Sequence, residues 1–111
     1  MRRLRLVLEY DGTGFAGFQV QPGRRSVQGV VEQALRGITG ESLRIVPAGR
    51  TDAGVHARAQ VAHVDSESGL ATGELARALN ALLPEDVAVT DLALAPPDFH
   101  ARKSATGKLY A

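Results

Sequence analysis

Apolar side chains recur along the chain with two periods, one of two residues and one of three to four. The order of these two patterns constrains the fold more than any other feature. Over residues 4–10, apolar side chains occupy every second position, which is the pattern of a strand with one buried face. After Ser26, whose side chain can cap a helix, apolar side chains instead recur every three or four residues. The residues of this apolar stripe are Val27, Val30, Val31, Ala34, Leu35 and Ile38. Gly40 is expected to end the helix, so a strand followed by a helix is predicted.

The same alternation returns further along the chain. Residues 43–48 and 60–65 are predicted strands, with a loop at residues 49–57 between them. Thr72 is expected to cap a second helix, and Pro84 to end it. The predicted buried face of this helix consists of Leu75, Leu79, Leu82 and Leu83. Residues 87–94 predict a fourth strand, and residues 108–110 the start of a fifth. The order β-α-β-β-α-β predicts an α+β, ferredoxin-like fold, with two helices on one face of a four-stranded antiparallel sheet.

Length and composition narrow the class of protein. A chain of 111 residues, 44% hydrophobic and 23% charged, fits one globular domain. It contains no cysteine, which excludes disulfides, iron–sulfur clusters and thiolate zinc sites. No apolar run approaches the length of a bilayer span and no signal peptide is recognisable, so we expect a cytoplasmic protein without a membrane contact. Because the sequence stops inside a strand-like segment, we expect residues 1–111 to be a fragment of a longer protein.

The basic residues are clustered, although the net charge is only +1. They form groups at residues 2–5, 24–25, 50–58 and 102–108, while acidic residues concentrate elsewhere. Such a distribution is compatible with one basic face that binds RNA, although charge on a solvated surface is the better explanation of any single group.

A glycine motif follows the first predicted strand. Residues 12–17 read GTGFAG and match the G-x-G-x-x-G pattern of dinucleotide-binding proteins. That function requires a helix that begins within the motif and points its amides at the pyrophosphate, whereas Pro22 and Gly23 interrupt any such helix. The motif therefore indicates a loop whose glycines permit positive φ angles, and not a nucleotide site.

The three histidines do not indicate a metal site. His56, His63 and His100 have no ligand spacing to one another, and no cysteine is present to help them. His63 lies in a predicted strand and is expected to be partly buried and hydrogen-bonded. His56 and His100 lie in predicted loops, where each can fix the loop by a hydrogen bond or contact a phosphate.

The loop at residues 49–57, with the sequence GRTDAGVHA, contains Asp52, the candidate for a catalytic residue. An Asp-Ala-Gly sequence is typical of a turn, in which Asp52 accepts backbone amides and Gly54 takes a left-handed conformation. Arg50 lies two residues before Asp52 and would keep its carboxylate ionised, as a nucleophile or proton acceptor requires. Composition and spacing alone leave the turn and the catalytic interpretation both open.

The loop also looks like the signature of the bacterial tRNA pseudouridine synthase A family, and the resemblance extends along essentially the whole chain. The N-terminal sequence EYDG, followed by Phe15 and the run GFQ, resembles that family's first strand and loop. The sequences SVQG and NALLP resemble the beginning of its first helix and the end of its second. The sequence FHAR resembles its next loop, and KLY resembles the segment that brings a tyrosine into the active site.

The resemblance implies an isomerase that converts uridine to pseudouridine at positions 38 to 40 of the tRNA anticodon stem-loop. It implies that Asp52 is the essential carboxylate, that Arg50 pairs with Asp52 or holds the nucleotide open, and that Tyr110 stacks on the target base. Further candidates for phosphate contacts are Arg24, Arg25, Arg58 and Arg102. No metal or organic cofactor is implied, the partner is tRNA, and the full-length protein is expected to be a homodimer. The resemblance also implies that residues 1–111 are the N-terminal catalytic half of a longer protein whose C-terminal half builds the other side of the site, so we expect this chain alone to lack most of the activity.

The alternative prediction is a non-catalytic RNA-binding module, because RNA-recognition motifs share the same order of strands and helices. Their third strand carries aromatic residues that stack on bases, whereas residues 60–65 contain none. A ferredoxin-like domain that binds a small molecule is a third possibility, and it leaves the Asp52 loop explained only as a turn.

Overall fold

A computed structural model describes residues 2–18, 23, 25–48 and 57–101. The strands are β1 (Arg2–Tyr10), β2 (Val46–Pro47), β3 (Ala57–Ser66) and β4 (Val87–Ala95), and the helices are α1 (Val27–Thr39) and α2 (Thr72–Leu82). The four strands form one sheet in the order β2-β3-β1-β4, and every neighbouring pair is antiparallel. This arrangement confirms the predicted α+β, ferredoxin-like fold.

The alternation predicted in β1 is present in the structure. Leu4, Leu6 and Leu8 are fully buried, and Tyr10 is nearly so, whereas the residues between them are intermediate or exposed. The buried side chains form one core with α1, α2 and the buried residues of β3 and β4. The other face of β1 carries Arg3 and Arg5, and we call this side of the sheet its open face. Burial on one side only follows from the two-residue period.

The predicted ends of α1 are also confirmed. The Ser26 hydroxyl accepts a hydrogen bond from the Gly29 amide at 3.1 Å, as an N-cap residue does. Gly40 has a φ of 75° and its amide donates to the Arg36 carbonyl, which is a left-handed C-cap. Local sequence signals therefore determine where this helix begins and ends.

The second strand is shorter than predicted. Only Val46–Pro47 pairs with β3, although residues 43–48 have a strand-like pattern. The Ile45 amide donates to the Glu32 carboxylate of α1 at 2.9 Å instead of joining a strand ladder. A side-chain hydrogen bond therefore holds the segment before Val46 against α1, and β2 begins only at Val46.

Two details of the predicted α2 are wrong. Thr72 is the first residue of the helix, and the cap position belongs to Ala71, which makes no side-chain capping bond. Leu82 is 56% exposed, whereas Leu75, Leu79 and Leu83 are buried. These three buried leucines follow one another at intervals of four and form a single row, and Leu82 lies on the neighbouring row.

The glycine loop after β1 has the predicted character. Residues 12–14 form a single 3-10 turn, and Gly17 has a φ of 115°. The next α-helix begins only at Val27, so within the described residues no α-helix starts inside the G-x-G-x-x-G motif. The dinucleotide geometry is therefore not formed here.

The side chain of Asn80 connects α2 to the edge strand β4. Its amide nitrogen donates to the Val89 carbonyl at 2.9 Å, and its oxygen accepts from the Val89 amide at 2.8 Å. The register between β1 and β4 shifts next to this point, between Val7 and Leu8 of β1. Asn80 thus satisfies both backbone groups of a residue beside a β-bulge.

Candidate functional site

The segment that contains Asp52 is attached to the sheet at two defined points. At one, the Ala48 amide donates to the Val61 carbonyl at 2.7 Å, just after β2. At the other, the chain enters β3 at Ala57, which pairs with Tyr10 at the end of β1. Residues 49–56, including Asp52 and Arg50, lie outside the described residues. The flanking strands nevertheless place both attachment points at the end of the sheet where β1 finishes.

A pocket of about 440 Å³ lies at this same end of the sheet. It is lined by the end of β1, the beginning of β4 and Arg58 near the start of β3. Acidic residues predominate among its lining residues, which include Glu9, Asp11, Glu85 and Asp86. Arg58, which the sequence analysis proposed as a phosphate contact, is exposed and brings the basic side chain to this pocket.

Arg25 is held by an acidic residue of the same pocket. Its guanidinium donates two hydrogen bonds to the Asp86 carboxylate, at 2.7 and 2.9 Å, and lies 4.1 Å from the centroid of the Phe15 ring. The hydrogen bond from Arg25 lowers the pKa of Asp86 below its usual value, and the same bond raises the pKa of Arg25. An RNA contact by Arg25 stays a prediction, and it would require the guanidinium to be shared with Asp86 or to leave it.

Backbone hydrogen bonds also join the chain segments around the Arg25–Asp86 pair, and we call this group of contacts the junction. The Asp11 amide donates to the Asp86 carbonyl at 2.9 Å, and the Ala16 amide donates to the Arg25 carbonyl at 2.8 Å. These bonds therefore connect the loop after β1, the segment just before α1 and the turn before β4. Sequence analysis did not find this junction, because Arg25 and Asp86 are 61 residues apart and neither belongs to a motif with the other.

The open face of the sheet carries paired charges. Arg3 donates two hydrogen bonds to Asp65 at 2.8 and 2.9 Å, and Arg5 donates one to Asp91 at 2.7 Å. The hydrogen bond from Arg3 lowers the pKa of Asp65. Both arginines thus face carboxylates across neighbouring strands, and the open face is less basic than the sequence clusters suggested.

His63 lies on the open face beneath residues 99–101. It is only 4% exposed, and its Nδ1 accepts a hydrogen bond from the Ala101 amide at 3.1 Å. The predicted hydrogen-bonded histidine in a strand is confirmed, and it is more deeply buried than expected. Burial, followed by the charges of Arg3 and His100, lowers the pKa of His63, while Asp65 acts in the opposite direction.

Most of the predicted site residues lie outside the described part of the chain. These are Asp52, Arg50, Tyr110, Arg24 and Arg102. Of the predicted residues that are described, Arg58 lines the pocket directly, and Arg25 is bonded to Asp86, which lines the same pocket. The structure thereby brings two of the candidate arginines to the end of the sheet from which the Asp52 segment departs.

The described residues form neither a metal-binding cluster nor a membrane-spanning helix. Within residues 2–18, 23, 25–48 and 57–101, no three His, Asp or Glu side chains are grouped so that they could hold a metal ion. In that same part of the chain, none of the helices has both the length and the apolar character to cross a membrane.

Comparison with known proteins gives a consistent family. The family model described as tRNA pseudouridine synthase matches residues 6–102. The chain is 51% identical over 110 residues to a tRNA pseudouridine synthase A of Maridesulfovibrio salexigens, covering 99% of this chain and 41% of that protein. It is 56% identical over 112 residues to the protein of that name from Solidesulfovibrio magneticus, with 99% and 41% covered. The corresponding protein of Shouchella clausii is 52% identical over 111 residues, with 99% and 42% covered. The chain spans about two fifths of the length of these relatives.

Proposed function

The chain belongs to the tRNA pseudouridine synthase family, and on that premise we propose that it takes part in the isomerisation of uridine to pseudouridine in tRNA. The observation that carries the proposal is the family match over residues 6–102, which includes the loop with Asp52. Because the relatives are more than twice as long, we propose that these residues form the N-terminal half of the active enzyme. The enzyme would be a cytoplasmic homodimer that uses no metal or organic cofactor.

The reaction breaks the bond between C1′ of the ribose and N1 of uracil and forms a bond between C1′ and C5. The proton that C5 loses is balanced by one gained at N1, so nothing is consumed. Asp52 is proposed as the essential carboxylate, either as a nucleophile towards the sugar or base or as the base that takes a proton from C2′. Both roles need an ionised carboxylate, and Arg50 would favour that form.

The flanks of the Asp52 segment support this role. One flank is bonded to β3 and the other pairs with β1, which is a central strand of the sheet. A catalytic group on a loop needs such rigid supports to keep its geometry.

The arginines would hold the RNA backbone. A uridine inside a helix must leave the stack before its C1′ can be reached, which costs a few kcal/mol that phosphate contacts must offset. Arg58, which lines the pocket at the end of the sheet where β1 finishes, is one proposed contact. Arg24, Arg25, Arg50 and Arg102 are proposed as further contacts. Tyr110 is proposed to stack on the target base, since stacking tolerates rotation of the base.

The test is Asp52→Asn in the full-length protein. We expect loss of pseudouridine formation with nearly unchanged tRNA binding, measured by mass spectrometry of tRNA after chemical labelling of pseudouridine. Asp98→Asn is the matched control, because Asp98 is an exposed carboxylate that makes none of the described ion pairs. Normal turnover by Asp52→Asn would refute the assignment of this carboxylate.

A second experiment addresses the position in tRNA. Transcripts in which the uridines at positions 38, 39 and 40 are replaced one at a time by cytidine should each lose the corresponding pseudouridine. Labelling confined to uridines outside positions 38 to 40 would refute the anticodon stem-loop as the target. A wild-type protein that binds tRNA but forms no pseudouridine would favour the non-catalytic RNA-binding module.

A further inference from the structure

Residues 99–101 are held on the open face of the sheet through His63 and Arg3. The Arg3 guanidinium donates to the Phe99 carbonyl at 2.6 Å, and the Ala101 amide donates to Nδ1 of His63 at 3.1 Å. The His63 ring also meets the His100 ring at a centroid distance of 4.7 Å and an angle of 64°. Ala101 is only 1% exposed, so the segment is packed down at this point.

The bond to Ala101 defines the protonation state of His63. A backbone N–H can donate only to a ring nitrogen that carries no proton, so Nδ1 is unprotonated and the single ring proton is on Nε2. A second proton, on Nδ1, would place an N–H donor opposite the Ala101 N–H donor and would break this hydrogen bond. The imidazole must therefore be neutral for residues 99–101 to stay in place.

The charged groups around His63 favour that neutral form. On β1, Arg3 and Arg5 lie next to it, and Arg5 is its direct partner in the strand register. Asp65 follows on β3 and is engaged by Arg3 through two hydrogen bonds. His100 approaches from the segment above, while β2 contributes only the uncharged Val46. With Asp65 already paired, the surroundings of the ring offer little compensation for an added positive charge.

His63 also lies between the two parts of the chain that lead to proposed site residues. On one side it pairs with Val46 of β2, the strand that runs into the Asp52 segment. On the other it holds Ala101, the residue immediately before Arg102. One residue thus connects both routes to the site: its backbone pairs with β2, and its side chain holds Ala101.

We propose that His63 is a positioning residue for the reaction: through the hydrogen bond accepted by its Nδ1, it fixes residues 99–101 relative to β2 and thereby sets the spacing between the two segments that lead to Arg102 and Asp52. The inference rests on the proposed function for the reaction it serves. The hydrogen bond itself is independent of that function and can be tested separately.

Two substitutions in the full-length protein separate positioning from mere packing. His63→Leu fills similar space but has no acceptor, and we expect kcat/KM for tRNA to fall about tenfold or more, because small displacements at a site are costly. His63→Asn places an amide oxygen near the position of Nδ1, and we expect it to restore kcat/KM to within about threefold of wild type. Asparagine does not titrate, so any loss of wild-type activity at acidic pH that is due to His63 should disappear in this variant.

A stability control and a spectroscopic readout complete the experiment. Leu79→Ala removes a buried side chain of α2, so it should lower the melting temperature without moving the acid side of the pH profile. In protein labelled with ¹⁵N at histidine and alanine, Nδ1 of His63 should have the shift of an unprotonated nitrogen at neutral pH. The Ala101 amide signal should titrate together with the ring.

The outcomes are distinguishable. Wild-type turnover by His63→Leu, or equal damage by His63→Asn and His63→Leu, would overturn the positioning role while the proposed function stands. If the wild-type protein forms no pseudouridine, the proposed function fails, and the NMR titration still decides on the hydrogen bond. A proton on Nδ1 at neutral pH would overturn the inference in either case. Should His63→Leu not fold, His63→Asn and the wild-type titration decide the question.

Discussion

The ion pair between Arg25 and Asp86 gives the sharpest prediction about this end of the molecule. Its guanidinium and carboxylate share two hydrogen bonds, and the guanidinium also rests on the Phe15 ring. We consider Arg25→Gln, Asp86→Asn and the double variant. The single substitutions remove the same pair from opposite sides, but only Arg25→Gln also removes the contact with Phe15.

The magnitude follows from exposure. The side chains of Arg25 and Asp86 are 41% and 29% exposed, so solvent screens their attraction. An exposed ion pair contributes about 0.2–1 kcal/mol, and the two-bond geometry places this pair towards the upper end. The contact of the guanidinium with the Phe15 ring adds about 0.5–1 kcal/mol. We therefore expect losses of about 1–2 kcal/mol for Arg25→Gln and about 0.5–1 kcal/mol for Asp86→Asn.

The assay is urea denaturation of the four proteins, which yields the coupling energy of the pair from a double-mutant cycle. We expect a coupling of about 0.5–1 kcal/mol at neutral pH. Because the folded-state pKa of Asp86 is lowered, the pair stabilises the protein above the ordinary carboxyl pKa. That contribution is lost as the pH falls through the lowered value, so the coupling should vanish in strong acid.

Two results would contradict this reasoning. A coupling near zero at neutral pH would mean that the pair does not contribute to stability. A coupling that persists below the folded-state pKa of Asp86 would mean that charge is not its origin. The same Arg25→Gln variant tests the RNA contact, since loss of one phosphate contact lowers the salt dependence of tRNA binding by about 0.7–0.9 in log K against log salt.

Two further predictions concern local structure. Gly40→Ala should destabilise the protein by about 1–2 kcal/mol in chemical denaturation, because Gly40 has a φ of 75°, which is unfavourable for a residue with a Cβ. Gly69→Ala is its control, with open space around the added methyl group, and a similar loss there would contradict the argument. Asn80→Ala should cost about 1–2 kcal/mol, since it removes two hydrogen bonds to the backbone of β4. Unchanged hydrogen-exchange protection at the start of β4 in Asn80→Ala would show that these bonds are dispensable.

Much of the fold could be predicted because its determinants are local. The alternating leucines of β1 and the capping residues Ser26 and Gly40 act within a few positions of themselves. The shorter β2, in contrast, arises from a contact between residues that are distant in the sequence. The Ile45 amide bonds to Glu32, 13 residues away, and this contact shortens β2 in a way that periodicity does not reveal.

The candidate site could likewise be predicted from the sequence only in part. Arg58 and the histidine in β3 were identified from sequence, and the structure gives both a position. The bond from Ala101 to His63 spans 38 residues, and no spacing rule could have found it. The roles of Asp52 and Tyr110 rest on family resemblance, since composition and periodicity do not distinguish a catalytic aspartate from one in a turn.

The bonding of Asn80 to Val89 has a consequence for association between molecules. β4 is an edge strand of the described sheet, and such strands present free backbone groups to which another chain can add. The Asn80 amide occupies the donor and the acceptor of Val89 as a neighbouring strand would. Strand addition at this part of β4 must first displace a side chain supplied by the molecule itself, which protects the sheet against unwanted growth into aggregates.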